Sequence, residues 1–295
     1  MEIRPAIPED FDQVVALSTL VRPYGVGART WLRRSLTERL GTDRFVGFVA
    51  EADGRVAGWA GLTRADHLDT PNAYSLNLLV HPDFRRQGFG TRLLQICDDW
   101  LAALPSSFVQ SYADGDGKFF ALAKGFEATT EMTYAGRELT DAILVPPVPD
   151  GYTLVPFAEL EAADVFPAYR ESTADIPGGP PFEVPFDWFS TELWPGSLLD
   201  RELSLALLEG GRVASFTMVN REDTRTWNDM TGTVRDHRGK GLAGFLKLAS
   251  LSAARDAGVT HSFTLMNLEN PPIRALNERL GYREVFRRTY VTRQN

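Results

Sequence analysis

The sequence predicts an α/β protein built as two tandem copies of one domain, each a mixed central sheet flanked by helices. Three observations carry this. The chain has 295 residues with 43% apolar and 24% charged, an ordinary globular balance and a length comfortable for two domains. Three blocks recur in the same order at an offset of about 155 residues, which chance rarely produces. A Pro-rich stretch, "LVPPVPDG" at 144–151, interrupts the pattern and reads as a linker. The expected domains are therefore 1–143 and 152–295.

The repeated blocks fix the elements. "EADGRVAGWAGL" (51–62) parallels "LEGGRVASFTMV" (208–219), each a strand, a tight turn at Asp53-Gly54 or Gly210-Gly211, and a second strand. "VHPDFRRQGFGTRLLQICDDW" (80–100) parallels "TVRDHRGKGLAGFLKLASLSA" (233–253), and "FFALAKGFEATTEMTY" (119–134) parallels "LNERLGYREVFRRTYV" (276–291). In the second copy the order is a strand at 152–156, a helix at 159–173, and strands at 203–208, 212–219 and 227–234. A glycine-rich turn then opens an amphipathic helix at 241–257. A strand at 261–266 follows. A helix at 271–279 comes next, with Asn270 as its cap and Pro271 at its first position. The last strand is 283–291.

Composition excludes several functions. No apolar run approaches the ~20 residues of a membrane span, and "MEIRPAIPEDFDQ" is acidic where a signal peptide needs a basic start. A cytoplasmic protein without a membrane partner is expected. The net charge of −8 disfavours nucleic acid and suits a cationic or neutral small substrate. The single cysteine, Cys97, shares a helical face with Leu93, Trp100, Leu101 and Leu104, so a buried hydrophobe is expected rather than a nucleophile. His67, His81, His237 and His261 show no ligand spacing, so no metal is expected. A monomer or homodimer is expected.

One stretch supports two readings. Gly239-Lys240-Gly241-Leu242-Ala243-Gly244 spells the G-x-G-x-x-G of a dinucleotide site, and Arg238 to Ala243 spells R-x-x-G-x-A. A dinucleotide loop follows a buried β-branched strand at the start of a β-α-β unit. Here "RDHR" and the polar strand "TWNDMTGTV" precede it, and several strands come earlier. The first copy, Arg85-Arg86-Gln87-Gly88-Phe89-Gly90-Thr91-Arg92-Leu93, has no third glycine. Gly244 then reads as a small residue on a helix. A Walker A loop also fails, because Gly follows Lys240. What both copies share is R-x-x-G-x-G/A at the mouth of a helix. Such glycines let backbone N–H groups converge, and the helix N-terminus adds unpaired donors and partial positive charge. Together they suit a pyrophosphate.

At these residues the sequence resembles the GCN5-related N-acetyltransferases (GNAT), as a tandem pair. The resemblance implies that Arg238, Gly239, Lys240, Gly241, Leu242 and Ala243, and Arg85, Arg86, Gln87, Gly88, Phe89 and Gly90, cradle the pyrophosphate of acetyl-CoA. It implies a splayed strand before each cradle, so that Thr231, Gly232 and Thr233, and Leu78, Leu79 and Val80, hold the pantetheine arm. Asn270 to Tyr282 resembles the family's late signature, with Asn270 near CoA. The first copy departs from it: Asp114 replaces the Asn, and Ala121 stands where many relatives have a Tyr. Asn277 holds that place in the second copy, so neither supplies the tyrosine often proposed as the acid for the leaving thiolate.

The implied chemistry is acetyl transfer to an amine. The amine must lose a proton, and a carboxylate can take it. The thioester oxygen needs a donor, expected from the backbone N–H of Val234 or Thr233. Asp229 is the candidate base, because strand alternation is expected to put it on the face of Thr231 and Thr233. The first copy offers only Asn77 on its matching strand, "AYSLNLLV". The second copy is therefore the expected catalyst, and the first an acyl-CoA binder or a relic. Substrate selection is expected in 170–197, with Asp175, Glu183, Asp187 and Glu192 among aromatic residues. A non-catalytic acyl-CoA sensor or scaffold is the alternative.

Overall fold

Both hairpin turns form with left-handed residue pairs, as a type I′ turn requires. Asp53 and Gly54 have φ of 52° and 71°, and Gly210 and Gly211 have 57° and 79°. The computed structural model describes residues 2–68, 70–104, 106–174, 176 and 184–294. They form two compact units, residues 1–129 with 289–295, and residues 130–288.

In the first unit the strands are β1 (Glu2–Pro5), β2 (Phe45–Ala52), β3 (Arg55–Arg64), β4 (Ala73–Val80) and β5 (Phe108–Ala113). They lie in the order β1-β2-β3-β4-β5, and β4 and β5 run parallel. Helices α1 (Phe11–Val21) and α2 (Ala28–Arg34) bury Val14, Leu17 and Leu32 against Trp59 and Phe45. Helix α3 (Phe89–Leu101) buries Leu93, Leu94, Cys97 and Leu101, the period of one helical face, and α4 (Gly115–Ala123) adds Ala121 to that core. Cys97 is buried there, and burial pushes its thiol up to about 12. It packs as the small hydrophobe expected of it.

The second unit repeats the plan with β6 (Glu127–Glu138), β7 (Thr153–Pro156), β8 (Leu205–Glu209), β9 (Arg212–Glu222), β10 (Arg225–Thr233), β11 (His261–Asn267) and β12 (Arg283–Gln294). The order is β12-β6-β11-β10-β9-β8-β7. Helix α5 (Ala162–Ala174) packs Val165, Ala168 and Tyr169 on Phe216 and Met218, with the short turn α6 (Phe186–Trp188) leading into Phe189 and Trp194 beside it. Helix α7 (Leu242–Asp256) buries Leu242, Phe245, Leu246 and Ala249 against Leu205, Leu207 and Ala214, and α8 (Pro271–Arg279) follows β11.

The compact units do not follow the sequential division at 144–151, because each half sends its last strand away. β6 ends the first repeat, yet it pairs antiparallel with β11, Glu138 opposite His261. The end of β12 pairs antiparallel with β5, Thr289 opposite Ala113. Leu139 and Ile143 are buried in the second unit's core, while 144–149 is neither helix nor strand.

Candidate functional site

The parallel ladder between β10 and β11 runs only from Arg225–Asn228 opposite His261–Thr264, and that between β4 and β5 from Ala73–Ser75 opposite Phe108–Gln110. Beyond those residues each pair of strands parts. Thr231, Gly232 and Thr233 line one fork, and Leu78, Leu79 and Val80 the other. The N–H of Val234 is already donated to the carbonyl of Ala214 at 3.0 Å, as that of His81 is to Ala57 at 2.9 Å. N–H groups alternate along a strand, so those of Thr231 and Thr233 turn into the fork. Of the two N–H groups expected as oxyanion donors, that of Thr233 points into the fork and that of Val234 does not. Gly232 serves packing instead: a Cβ there would stand 2.4 Å from Ser172 Oγ and 2.6 Å from the Phe216 ring.

Each fork leads to a cradle of the same geometry. Gly239 and Gly241 have φ of 76° and 78°; their counterparts Arg86 and Gly88 have 60° and 85°. Gly241 and Gly88 cap α7 and α3. A Cβ at Gly88, Gly239 or Gly241 would meet no protein atom within 4 Å. The space over both helix starts is open, as an incoming anion needs. Arg238 Nε donates to the carbonyl of Thr233 at 3.0 Å, and Arg85 Nε to that of Val80 at 3.4 Å. In both copies this arginine thus ties the cradle to the fork strand. Lys240 Nζ donates to Tyr152 Oη at 3.3 Å, which sits 2.8 Å from His237 Nδ1. Gln87 Nε2 donates to the carbonyl of Asp83, and Arg86 pairs with Asp116 at 3.4 Å. Leu242 and Phe89 have side chains buried in the cores beneath, so only their backbone faces the cradle. A Cβ at Gly90 or Gly244 would meet only side chains, so neither shapes the cradle backbone.

Asp229 occupies a β-bulge. Asn228 pairs with Val219 but Met230 with Met218, so one residue of β10 has no partner in β9. The bulge reverses the expected facing. Thr231 Oγ1 lies 2.9 Å from Thr217 Oγ1, and Thr233 Oγ1 2.9 Å from Ser215 Oγ. Asp229 instead accepts the Trp227 indole N–H at 3.1 Å, and its charge reaches Tyr169 of α5. It shares the α5 side with Trp227, not the face of Thr231 and Thr233. Its carboxylate keeps accessible surface, while the protein around it strips solvent and raises its pKa above the usual carboxylate range. The Trp227 hydrogen bond opposes that rise.

The first copy differs at this point. β4 pairs with β3 without a break from Gly58–Val80 to Arg64–Tyr74. Its fork opens onto a cavity of about 90 Å³ lined by Leu76, Leu78, Leu94, Ser111, Asp114 and Phe120. Asn77 is partly buried, and its Oδ1 has no hydrogen-bond partner. On α8, Asn270 Oδ1 accepts the N–H of Ile273 at 3.4 Å, as a cap does. Asn277 is 1% exposed and cannot reach solvent as a proton donor to a thiolate would need. Of the acids expected in 170–197, Asp175 and Glu183 lie outside the described residues. Asp187 is exposed on α6, where its carbonyl accepts the hydroxyls of Ser190 and Thr191.

Sequence reasoning missed Tyr152, His237 and Trp227. Trp227 stands two residues before Asp229 on one strand, a spacing that could have found it. Tyr152 carries no local signal, since it reaches the cradle from β7's end.

Residues 15–113 match the sequence model of the Acetyltransferase (GNAT) family. The chain is 32% identical over 112 residues to mycothiol acetyltransferase of Salinispora arenicola, and 31% identical over 122 residues to that of Mycolicibacterium vanbaalenii. These matches take in 37% and 40% of this chain and only 34% and 38% of those proteins. Among solved structures, a GCN5-related N-acetyltransferase from Sphaerobacter thermophilus has a TM-score of 0.77 at 21% identity, covering 99% of this chain and 95% of its own. A tandem GNAT protein from the clavulanic acid biosynthesis pathway has a TM-score of 0.73 at 21% identity, covering 99% and 98%. The two structures share the fold along nearly the whole chain, the sequence match falls on the first copy, and both copies carry the cradle and fork. The family match thus falls on residues 15–113, and the fold of the whole chain is the one seen in these GNAT structures.

Proposed function

We propose that the chain is an acetyl-CoA-dependent N-acetyltransferase acting on a small-molecule or peptide amine by direct transfer in a ternary complex, with the second copy as catalyst. The observation that supports this is the bulge at Asp229, on the strand that leads to the cradle, where the first copy's β4 is unbroken and carries no carboxylate. Open space over the left-handed glycines, with Arg238 and Lys240 at the helix start, suits a pyrophosphate. In this reading acetyl-CoA supplies the thioester. The N–H groups of Thr231 and Thr233 orient the pantetheine arm, and that of Thr233 holds the developing oxyanion. Asp229, its pKa raised, takes the proton that an alkylammonium of pKa ~10 must lose before it can attack. The first copy binds acyl-CoA at its own cradle, or supports the second. The similarity to mycothiol acetyltransferases supports a small amine as acceptor.

The test is a panel of amines with acetyl-CoA, read by release of free thiol and by the mass of the acetylated product. Turnover of at least one amine, lowered ~10²–10⁴-fold by Asp229→Asn, is expected. Tight acetyl-CoA binding with no turnover of any amine would favour a non-catalytic sensor.

A further inference from the structure

Behind the bulge lies a polar cluster that the site above does not use. Lys247, on α7, is 2% exposed. Its Nζ donates to Oδ1 of Asn228 and lies 5.4 Å from the ring centre of Tyr282. Among the described residues no carboxylate pairs with it. A buried ammonium without a counter-ion is costly, so its presence needs a reason.

Asn228 gives one. Its Nδ2 donates to Thr217 Oγ1 at 2.7 Å and to the carbonyl of Met218 at 3.3 Å. Its Oδ1 also accepts from Thr231 Oγ1 at 3.1 Å, and its carbonyl accepts the Thr264 hydroxyl at 3.0 Å. One side chain is thereby tied to β9, β10 and α7, and its backbone to β11. It sits where the β10–β11 ladder ends and where the register with β9 breaks. The residue that follows it is Asp229.

The first copy supplies the contrast. When the cradles are aligned, Arg238 on Arg85, Lys247 falls on Leu94. That leucine is 3% exposed in an apolar core. The fold therefore packs well with a hydrophobe at this position. The copy with leucine has a regular β4, and the copy with lysine has the bulge.

We propose that Lys247 is a positioning residue: through Asn228 it holds the bulge of β10 that presents Asp229, and it ties that bulge to the helix whose first turn is the cradle. The proposal rests on the reading of Asp229 as the base. It assigns to α7 a second duty, setting the proton acceptor as well as the anion site.

The test uses the full chain with Lys247→Met, which keeps length and apolar stem and removes the charge and donor. Acetyl-CoA affinity by calorimetry and the amine KM should stay within about twofold, and kcat should fall ~10–100-fold, the scale of a misplaced catalytic group. Combined with Asp229→Asn, the loss should be no greater than that of Asp229→Asn alone, since both act through one group. Amide exchange at 228–231 should quicken. Lys247→Gln, which keeps one donor, should lose less than Lys247→Met and serves where the Met variant does not fold. Parent kcat with parent exchange in Lys247→Met, losses that add to those of Asp229→Asn, or a Gln variant slower than Met would each overturn it. If Asp229→Asn keeps full turnover, the base reading falls by itself, and the exchange measurement alone decides whether Lys247 holds the bulge.

Discussion

The indole N–H of Trp227 is donated to Oδ1 of Asp229 at 3.1 Å, across Asn228, where β10 loses register with β9. One hydrogen bond thus ties the only carboxylate on that strand to its i−2 neighbour, while the break after Asn228 leaves Thr231 and Thr233 on the other face. Asp229→Asn is expected to lower kcat/KM by ~10²–10⁴-fold, the range of a general base. It should leave acetyl-CoA affinity nearly unchanged. Because the protein around Asp229 strips solvent from its carboxyl and raises its pKa, the parent's acidic limb should lie above the usual carboxylate range, and the variant should lose that limb. With a slow amine, so that chemistry limits the rate, matching limbs in the two profiles would assign Asp229 to structure and direct the search to Asp187 and its neighbours.

Gly241 and Gly88 allow the two copies to be separated. Both are left-handed, and a side chain at either would enter space that no protein atom occupies within 4 Å. A valine adds backbone strain of ~1–2 kcal/mol or more and fills the anion's place. Gly241→Val is expected to abolish CoA binding at the second copy and turnover with it. Gly88→Val should retain most turnover. Kinetics and calorimetry on both variants check this, and activity lost only in Gly88→Val would move catalysis to the first copy.

The ligand itself is open to a direct comparison. The cradle is common to both copies, and the third glycine of a dinucleotide loop is not, since Gly244 sits within α7 against Leu276. Titration of the chain should give clear heats with acetyl-CoA and none with NAD(H). Tighter binding of NAD(H) would contradict the cradle's assignment.

Lys247 leaves a mark on stability as well. Burial pushes it down to about 7 from 10.5, and the titratable group facing it is Tyr282, itself pushed up to about 12. The unfolded chain then binds more protons than the folded one between those two lysine values, so stability rises with pH across that window and the full penalty stands below about pH 7. Lys247→Met removes the penalty. The variant's advantage over the parent in urea unfolding should be larger at about pH 6.5 than at about pH 9.5, by ~2 kcal/mol or more. An advantage independent of pH would mean that the lysine is not desolvated.

Much of this architecture can be read from local chemistry. Asn270 and Pro271 mark the start of α8, the glycine pair Gly210-Gly211 marks the β8–β9 hairpin, and both cradles stand where their motifs lie. The facing of Asp229 could not be read that way, because a period of two assumes an unbroken ladder and a bulge shifts it by one. Lys247 was hidden for a different reason. A lysine on an amphipathic helix reads as a solvated charge, and only the neighbouring Asn228 makes it a buried donor. The pairing of β6 and β12 was hidden because strands of the same repeat carry the same pattern, and nothing in that pattern says which sheet edge they join.

That pairing has a consequence for how the chain is made. Tyr290 reaches Gln110, and Arg293 reaches Asp98 and the carbonyl of Lys124, so the first unit is finished by residues that follow the whole second core. A ribosome makes those residues only after β6 to β11. The nascent first unit must wait, with the edge of β5 uncovered, through the synthesis of everything between. An uncovered strand edge is a site for mispairing. Stop codons placed at the apparent linker would therefore release an incomplete sheet rather than a domain, and the gene cannot be cut where its repeats appear to divide.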